Sequence, residues 1–490
     1  MITVHSIALQ GLTPQIIEVG VSFVRGQPQL TIIGLPNRII TEAKERISAA
    51  VQQQGIRLRS RKVVVNLAPA DLKKTDSYYE LAIAVGLLKL HGELPALPAN
   101  TAYFGEFSLE GALKPLRNPI PLLTGAKQLG FTKVVIPALN IDQAKLVSEV
   151  ELYPLENMAE LRSRDFFKRA YPKQPVPTAP IPQLTSSKLR LDPLTHRIIT
   201  IAAAGGHNLL LVGPPGVGKT TAISALAGLL PPVCQQERLS LLSLYSLANK
   251  QRLLSNWQRP FRAPHHSSSR VSILGGTSSL TPGEISLAHA GVLFLDELTE
   301  FSRPVLEALR EPMVEHRIRI SRNTGQVAYP AQCLVAASCN PCTCGYYQSK
   351  KACQCSPYQI QQYRHRVSGP LLDRIELQHF LTDIYTSPSN AKPLSREPVL
   401  AAFSLQQQRY QPMEGLQATN GKVSETVLEK HLNLETSATT QLTKSATVLQ
   451  LSLRSISQLK RIARTIADLE DSITVKAEHI SEALQYRRVW

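Results

Sequence analysis

One short segment constrains the fold of this chain more than any other. Residues 213–220 read Gly-Pro-Pro-Gly-Val-Gly-Lys-Thr and fit the phosphate-binding pattern G-x-x-x-x-G-K-[ST]. An apolar run at 208–212 precedes the segment and a helical pattern at 220–227 follows it, which is typical of a buried parallel strand, a loop and a helix. The segment therefore predicts a nucleotide-binding α/β domain; the alternative is a glycine-rich turn that binds nothing.

The chemistry of such a loop assigns roles to its residues. Its glycines allow backbone N–H groups to turn towards a polyphosphate at the positive end of the helix. Lys219 is expected to pair with the β- and γ-phosphates, and Thr220 to place its hydroxyl on Mg²⁺. ATP and Mg²⁺ are thus the expected cofactors. The expected nucleotide-binding residues are Gly213, Pro214, Pro215, Gly216, Val217, Gly218, Lys219, Thr220 and Asp296.

A second apolar strand ends in two adjacent acids, Asp296 and Glu297, within Leu-Phe-Leu-Asp-Glu at 293–297. Carboxylates at the end of a buried strand are unfavourable unless they serve a cation. We expect Asp296 to hold Mg²⁺ together with Thr220, and Glu297 to polarise the attacking water as the catalytic acid–base residue. The alternative is an ordinary surface turn after a strand.

Two further polar residues follow apolar segments. The run 333–338 predicts another strand with Asn340 at its end, where an amide can orient water towards the γ-phosphate. Arg374 follows the short segment 368–373, and an arginine donated to a neighbour's γ-phosphate gives large rate factors. Both residues are therefore candidate catalytic residues; the alternative for Arg374 is an ordinary surface arginine.

The charge balance points to a polyanionic partner. The 490 residues carry a formal net charge of +17, with a pI near 9.6. A nucleotide site does not require this excess, so DNA is the expected partner, and charge that serves only solubility is the alternative. No apolar run approaches the roughly 18 residues of a membrane span and no signal peptide is recognisable, so we expect a cytoplasmic protein without membrane contact.

Four of the seven cysteines lie in one short segment. Cys342, Cys344, Cys353 and Cys355 form two C-x-C pairs, and four thiolates so placed can bind Zn²⁺ tetrahedrally. The odd number of cysteines argues against a disulfide framework. The spacing leaves a structural zinc site and reduced free thiols as equal alternatives, and a site closed by four protein ligands would not be catalytic.

Composition divides the chain into three domains. Residues 1–165 alternate strand-like and helical stretches, and five prolines at 171–182 predict a semi-rigid linker, placed at 166–189. An ATPase core at 190–385 and a helical domain at 386–490 follow. In the first domain we expect strands at 63–67 and 133–137 and helices at 40–53 and 79–90.

Two segments of the core are candidates for contact with nucleic acid. Residues 271–284 predict a small glycine-turned loop, and 317–329 predict a β-hairpin with an Asn-Thr-Gly turn. Alternation places Arg317 and Arg319 on one face of the hairpin and the intervening isoleucines on the other. In a ring, arginines on such hairpins line the pore and contact phosphates. A solvent-facing edge hairpin is the equal alternative.

The spacing of apolar residues at 456–469 predicts an amphipathic helix near the C-terminus. Lys460, Arg461 and Arg464 are expected on its polar face, and the apolar stripe is expected to be core. Such a helix fits a lid that closes over ATP.

Nine segments together resemble the Mg-chelatase-like AAA+ ATPases of the YifB/ComM group, over nearly the whole chain. The resemblance implies a hexameric α/β ATPase with an N-terminal Lon-protease-like α+β domain, a P-loop AAA+ core with a parallel sheet and a C-terminal helical lid. It matches Arg374 to the arginine finger and Arg454 to the sensor-2 arginine, a further catalytic residue. The segments are 34–36, 65–71, 213–220, 259–266, 282–289, 293–298, 340–345, 368–374 and 463–469.

For ComM itself the resemblance implies a DNA branch-migration helicase that helps to integrate incoming DNA in natural transformation. The chain departs from the group at Thr299 and Thr343, which each replace a usual proline, and at 73–81, which lacks a usual glycine. None of these positions handles the nucleotide. A chelatase-type ATPase that remodels a partner protein is the alternative function.

A Lon-like protease is a third possible function, because Lon-type enzymes use a Ser–Lys dyad. Residues 103–111 resemble the stretch that leads to the catalytic lysine, whose position falls near Ile120. No lysine lies between Lys114 and Lys127. The resemblance therefore implies a protease-like domain that lacks the dyad.

Overall fold

The structure is a computed structural model that describes most of the chain in two compact units. The first unit consists of residues 1–178, 242–253 and 325–327, and the second of the other residues up to 490. The ranges described are 1–34, 37–53, 61–70, 78–147, 149–172, 191–250, 258–276, 280–322, 325–381, 393–410 and 417–487.

The first unit contains a seven-stranded mixed sheet and a small hairpin. Its strands are β1 (Ile2–Gln10), β2 (Thr13–Val24), β3 (Leu30–Ile33), β4 (Lys62–Ala68), β5 (Thr101–Tyr103), β6 (Glu106–Phe107), β7 (Leu113–Lys114), β8 (Lys133–Pro137) and β9 (Glu151–Leu155). The sheet order is β3-β4-β2-β1-β5-β8-β9, and β6 pairs with β7. β2 runs antiparallel to β1 and β4, whereas the other neighbours in the sheet run parallel.

Helices cover this sheet. They are α1 (Asn37–Gln53), α2 (Glu80–Leu90), α3 (Pro119–Gln128) and α4 (Ile141–Ala144). The two helices and two strands predicted in this region are confirmed as α1, α2, β4 and β8. The position expected for a catalytic lysine, Ile120, is a buried residue of α3. A Lon-protease-like fold for this unit remains a prediction.

The first unit continues beyond the boundary predicted at residue 165. Phe166 is buried, and the Tyr171 N–H donates to Leu152 O at 2.7 Å. The linker predicted from residue 166 therefore begins several residues later, because an aromatic residue there joins the core. The rest of the linker lies outside the described residues.

The second unit is built on a parallel sheet with the order β11-β12-β15-β10-β16. Every residue of β10, β12 and β15 is buried, which explains why these strands read as short apolar runs. The predicted strand, loop and helix at 208–227 are confirmed. The strands from residue 209 onward are β10 (Leu209–Val212), β11 (Phe261–Arg262), β12 (Val292–Leu295), β13 (Arg317–Arg322), β14 (Gly325–Pro330), β15 (Leu334–Cys339) and β16 (Leu377–Phe380).

Most of the remaining described residues are helical. The C-terminal region consists mainly of helices, as predicted. The helices from residue 193 onward are α5 (Pro193–Gly205), α6 (Lys219–Leu229), α7 (Gln235–Leu247), α8 (Arg270–Leu274), α9 (Glu284–Leu287), α10 (Arg303–Ala308), α11 (Pro312–Glu315), α12 (Pro357–Arg364), α13 (Gly369–Leu372), α14 (Glu397–Arg409), α15 (Glu425–His431), α16 (Thr436–Val448), α17 (Leu453–Leu469) and α18 (Ala477–Gln485).

The hairpin predicted at 317–329 is confirmed as β13 and β14. Arg317 and Arg319 are exposed and the isoleucines between and after them are buried, as the alternation requires. Both arginines lie near Glu315 Oε2, at 3.5 Å for Arg317 and 3.1 Å for Arg319. Residues 323–324, in the predicted turn, lie outside the described residues.

The small loop predicted at 271–284 is wrong at its two ends, because α8 extends to Leu274 and α9 begins at Glu284. Between these helices, Gly275 and Pro282 form an isolated β-bridge, and residues 277–279 lie outside the described residues. α8 forms because Ser269 caps it, accepting a hydrogen bond from the Ser272 N–H at 3.2 Å. Gly275 and Gly276, which suggested the loop, lie between the two helices with φ values of +93° and +95°.

The helix predicted at 456–469 is confirmed as α17, but the prediction that Arg464 faces solvent is wrong. Its side chain is 0% exposed and donates from Nε and Nη2 to Asp468 Oδ1 at 3.1 and 2.9 Å. Arg409 donates to the same carboxylate, and Asn420 Nδ2 donates to it at 2.8 Å. The buried arginine is tolerated because this carboxylate, one turn away, pairs with it.

Replacing Asp468 with alanine should destabilise the second unit strongly, because the buried guanidinium of Arg464 and the half-buried guanidinium of Arg409 would lose their shared carboxylate. We expect the free energy of unfolding to fall by about 3–5 kcal/mol. Glu429→Ala is the matched control, since Glu429 forms an exposed ion pair with Lys460 at 2.7 Å and should contribute about 0–1 kcal/mol. Urea unfolding followed by circular dichroism measures both, and equal unfolding midpoints would contradict this account.

Candidate nucleotide site

The carboxyl ends of three adjacent parallel strands, β10, β12 and β15, lie side by side, and the predicted site residues follow them. The register pairs Val212 of β10 with Cys339 of β15, and Leu295 of β12 with Ala337 of β15. Because all three strands run in the same direction, the residues that follow them emerge side by side. The phosphate-loop segment, the acidic pair and Asn340 are therefore neighbours.

The loop after β10 has the backbone that a phosphate cradle needs. Gly216 and Gly218 have φ values of +83° and +90°, which side chains other than glycine rarely adopt. A Cβ added at either glycine would meet nothing within 4 Å, so the concave face of the loop is open. α6 begins directly at Lys219 and directs its N-terminal N–H groups to this face.

The Lys219 ammonium group lies among neutral oxygen atoms. Nζ donates to Gly213 O at 2.6 Å, Pro214 O at 2.8 Å and Asn340 Oδ1 at 3.1 Å. Within the described ranges, no carboxylate forms an ion pair with it. Burial lowers the pKa of Lys219, because nothing close by fully compensates the cost of desolvation. A half-buried cation with only neutral acceptors fits an anionic ligand such as a polyphosphate.

Asp296 lies between the loop and β15. Thr220 Oγ1 donates to Asp296 Oδ2 at 3.4 Å, and Ser338 Oγ donates a short hydrogen bond to Oδ1. The Thr220 hydroxyl and the Asp296 carboxylate are hard oxygen ligands of the kind Mg²⁺ prefers, and they converge beside the loop. Ser338 was not predicted, because a serine inside an otherwise apolar strand has no distinctive spacing.

Glu297 occupies an unusual backbone position. Its φ is +54°, in the left-handed region that residues other than glycine rarely adopt. Glu297 Oε2 lies 3.3 Å from His266 Nδ1, and the rings of His265 and His266 are 4.1 Å apart. His266 falls in one of the segments that carry the family resemblance, but sequence reasoning gave it no role of its own.

Arg374 lies at the other end of the strands, beside the amino end of β10. Its carbonyl accepts a hydrogen bond from Asn208 Nδ2 at 2.9 Å, at the residue that precedes β10. Its guanidinium donates from Nε to Arg310 O at 3.0 Å and from Nη1 to Pro370 O. β10 has four residues and is therefore about 13 Å long at 3.3 Å per residue. This length separates Arg374 from the loop at the carboxyl end of the strand. Arg374 is therefore not part of the site that its own chain forms.

Arg454 also lies near the amino end of β10, and a C-terminal helical lid over ATP remains a prediction. Its exposed side chain borders a cavity of about 1150 Å³ that Asn208 and Glu376 also line. Burial lowers the pKa of Arg374, and the nearby charges of Arg454 and Arg310 lower it further. α17 starts beside Asp373, whose carbonyl accepts from Gln458 Nε2 at 2.6 Å. The amphipathic pattern predicted α17 correctly, but it contained no information about which end of the parallel strands the helix packs near.

The four clustered cysteines converge as their spacing suggested. The sulfur atoms of Cys342, Cys344, Cys353 and Cys355 all lie within 4.8 Å of one another. All seven cysteines of the chain are free of disulfide bonds. Cys333 and Cys339, in contrast, are buried beside or within β15, where burial raises their thiol pKa.

Comparison with known proteins identifies the class to which this fold and site belong. Residues 188–387 match the family described as magnesium chelatase, subunit ChlI. Residues 17–140 match the family described as subunit ChlI of Mg-chelatase, and residues 393–487 match magnesium chelatase, subunit ChlI C-terminal. The mixed α/β architecture with a parallel sheet fits this AAA+ class.

Full-length relatives narrow the class to one family. The chain is 35% identical over 503 residues to the uncharacterized protein YifB of Salmonella typhimurium, which covers 99% of this chain and 97% of the relative. It is also 35% identical over 505 residues to the competence protein ComM of Haemophilus influenzae, with the same coverage. The chain belongs to the YifB/ComM family of Mg-chelatase-like proteins, as predicted. Across the described ranges, no helix has the length and apolar character to cross a membrane.

Proposed function

We propose that the protein is an ATP hydrolase that forms a ring and moves on DNA. The observation that carries the proposal is the arrangement around Lys219. A half-buried ammonium lies beside an open glycine loop, with Asn340 in contact and the Thr220–Asp296 pair adjacent. This arrangement suits the phosphates of a nucleotide and a divalent cation.

Each residue of the site has a distinct role in this proposal. ATP with Mg²⁺ supplies the transferable phosphoryl group and the charge that neutralises it. Lys219 and the loop N–H groups bind phosphate oxygens, while Thr220 and Asp296 would hold the ion. Glu297 accepts a proton from the attacking water, and Asn340 orients that water.

A ring explains why Arg374 and Arg454 lie away from the site of their own chain. In a head-to-tail ring, the surface of one subunit meets a different surface of the next. The edge that carries Arg374 and Arg454 would then face the neighbour's nucleotide, so that each site is completed by two chains. The family resemblance favours six subunits.

DNA is the proposed substrate of the motor. The net charge of +17 and the exposed arginines of β13 support a polyanionic partner. β13 also carries the exposed Arg322, so Glu315 offsets one of three arginine charges and leaves about two net positive charges per hairpin. The name of the relative ComM, a competence protein, favours branch migration during integration of incoming DNA in natural transformation.

The hairpin provides a direct test of DNA binding. The double variant Arg317→Ala, Arg319→Ala should weaken DNA affinity and reduce the salt dependence of binding by roughly one unit of slope for each arginine that contacts a phosphate. Hydrolysis without DNA should stay close to the parent rate. Fluorescence anisotropy over a series of salt concentrations measures the effect.

The matched control removes the same charge from another surface. Lys430 and Lys444 are exposed residues of α15 and α16, so Lys430→Ala, Lys444→Ala lowers the net charge equally. This control should bind DNA nearly as well as the parent. If the two double variants lose affinity to the same extent, the hairpin is not the contact surface.

Remodelling of a partner protein is the second candidate function, because all three family matches are to magnesium chelatase subunit ChlI. The two functions share the ATP site and differ in what the ring binds. Hydrolysis stimulated by a protein partner and indifferent to DNA would favour the second candidate.

A further inference from the structure

The segment that follows Asn340 brings four thiols together, of which Cys342 is buried and the other three are half-buried. Three pairs of sulfur atoms lie close: Cys342 to Cys344 at 3.4 Å, Cys342 to Cys353 at 3.7 Å and Cys344 to Cys353 at 3.5 Å. Four sulfurs bound tetrahedrally to one zinc ion at about 2.3 Å would lie about 3.8 Å apart. The cluster therefore already has nearly the size that a single ion requires.

A backbone N–H group faces one of these sulfurs. The Tyr347 N–H donates to Cys342 Sγ at 3.3 Å. Donors aimed at sulfur stabilise thiolates, and thiolates are the form that binds a metal. Cys333 and Cys339, in contrast, are buried singly and act as small apolar residues.

We propose that Cys342, Cys344, Cys353 and Cys355 bind one Zn²⁺ ion, and that this ion holds residues 342–355 against the phosphate loop. Four thiols give four Zn–S bonds and release up to four protons, with no change in oxidation state. All four positions are taken by protein, so the site is structural.

Residues 342–355, which we call the four-cysteine clip, lie directly against the candidate nucleotide site. A Cβ placed at Gly345 would be only 2.9 Å from Pro215 Cδ and 3.9 Å from Asn340 Cγ. Gly345 has a φ of +85°, so both its conformation and its surroundings favour glycine. The strand β15 fixes Asn340 from one side, and the four-cysteine clip fixes the chain on the other side.

The far end of the clip connects to the acidic pair. Ser356, directly after Cys355, caps α12 by accepting from the Gln359 N–H at 3.3 Å. Further along α12, the Tyr363 hydroxyl accepts a buried hydrogen bond from Thr299 Oγ1 at 2.7 Å, two residues after Glu297. Thr299 replaces a proline that is usual in the family, and its hydroxyl makes this contact.

The consequence for turnover rests on the proposed ATPase function. Without the ion, residues 341–355 would lose their crosslink, and Asn340 would be held by β15 alone. Nucleotide binding by Lys219 and the loop N–H groups should change less than about threefold, whereas kcat should fall about tenfold or more, because small displacements of orienting groups have large effects on rate.

The zinc site itself is tested without any activity measurement. Full-length protein purified under reducing conditions without chelators should carry about one equivalent of zinc per chain, measured by plasma mass spectrometry with iron and zinc recorded together. Cys353→Ser and Cys355→Ser should each lose it, whereas Cys234→Ser, a cysteine outside the cluster, should retain it. Cobalt reconstitution of the metal-stripped parent should show the charge-transfer bands of tetrahedral thiolate coordination. Because this experiment uses the parent protein, it tests the site even if a cysteine variant fails to fold.

The outcomes separate the two proposals. Protein with no zinc, with iron in its place, or with four thiols that all react freely in the native state overturns the metal site. Zinc at one equivalent, with equal kcat before and after its removal, overturns the link to Asn340. Parent protein that binds zinc but does not hydrolyse ATP overturns the proposed function and leaves the metal site standing.

Discussion

Glu297→Gln should bind ATP and fail to hydrolyse it, with kcat lowered by about 10²–10⁴-fold. The substitution keeps the shape of the side chain and removes the group that accepts the proton of water. Glu297 makes no contact with Lys219 or with the glycine loop in the described structure, so nucleotide affinity should stay close to that of the parent. Retention of labelled ATP on the protein, followed beside the release of phosphate, measures both quantities.

Two comparisons make the result specific. Glu300→Gln changes an acid three residues away that pairs with Arg366 at 3.0 Å, and it should hydrolyse ATP at nearly the parent rate. Lys219→Ala should lose nucleotide binding, because it removes the cation from the loop. If Glu297→Gln hydrolyses ATP as fast as the parent, another residue is the catalytic base.

Arg374→Ala should lower kcat by about 10³-fold or more, the usual effect of losing an arginine finger. The reason is geometric: the guanidinium lies across the sheet from the loop of its own chain, so in the proposed ring it would serve a neighbouring subunit. Arg303→Ala, an exposed arginine at the start of α10, is the control and should leave turnover nearly unchanged.

Mixing tests the shared site. Arg374→Ala protein mixed with Glu297→Gln protein should recover part of the activity, since some interfaces then combine an intact arginine with an intact acid. Turnover per chain should also rise with protein concentration until rings form. Activity that is independent of concentration, with no recovery on mixing, would contradict a site shared between subunits.

The clustering of the candidate site residues was predictable because local patterns encode it. The glycine loop, the acidic pair and Asn340 each follow an apolar strand, and parallel strands bring their ends to the same edge. The prediction needed only sequence neighbours and the direction of the strands. The hairpin at 317–329 was predictable for the same reason, since alternation along a strand is local.

Features that depend on distant partners were not predictable. Arg464 read as a surface residue, because the carboxylate that pairs with it becomes a buried partner only when Arg409 and Asn420 pack around it. The position of α17 depends on packing against α5 and α14, which are far away in sequence. His266 approaches Glu297 only through the fold, so its role left no spacing signal.

The rate of ATP hydrolysis with and without forked or four-way DNA tests the central claim most directly. We expect the intact protein to hydrolyse ATP slowly alone and faster with such DNA, and to separate or migrate the strands only when ATP and Mg²⁺ are present. The stimulation should weaken at high salt, because phosphate contacts compete with counterions. Protein that neither binds DNA at low salt nor hydrolyses ATP faster in its presence would contradict the proposed motor on DNA.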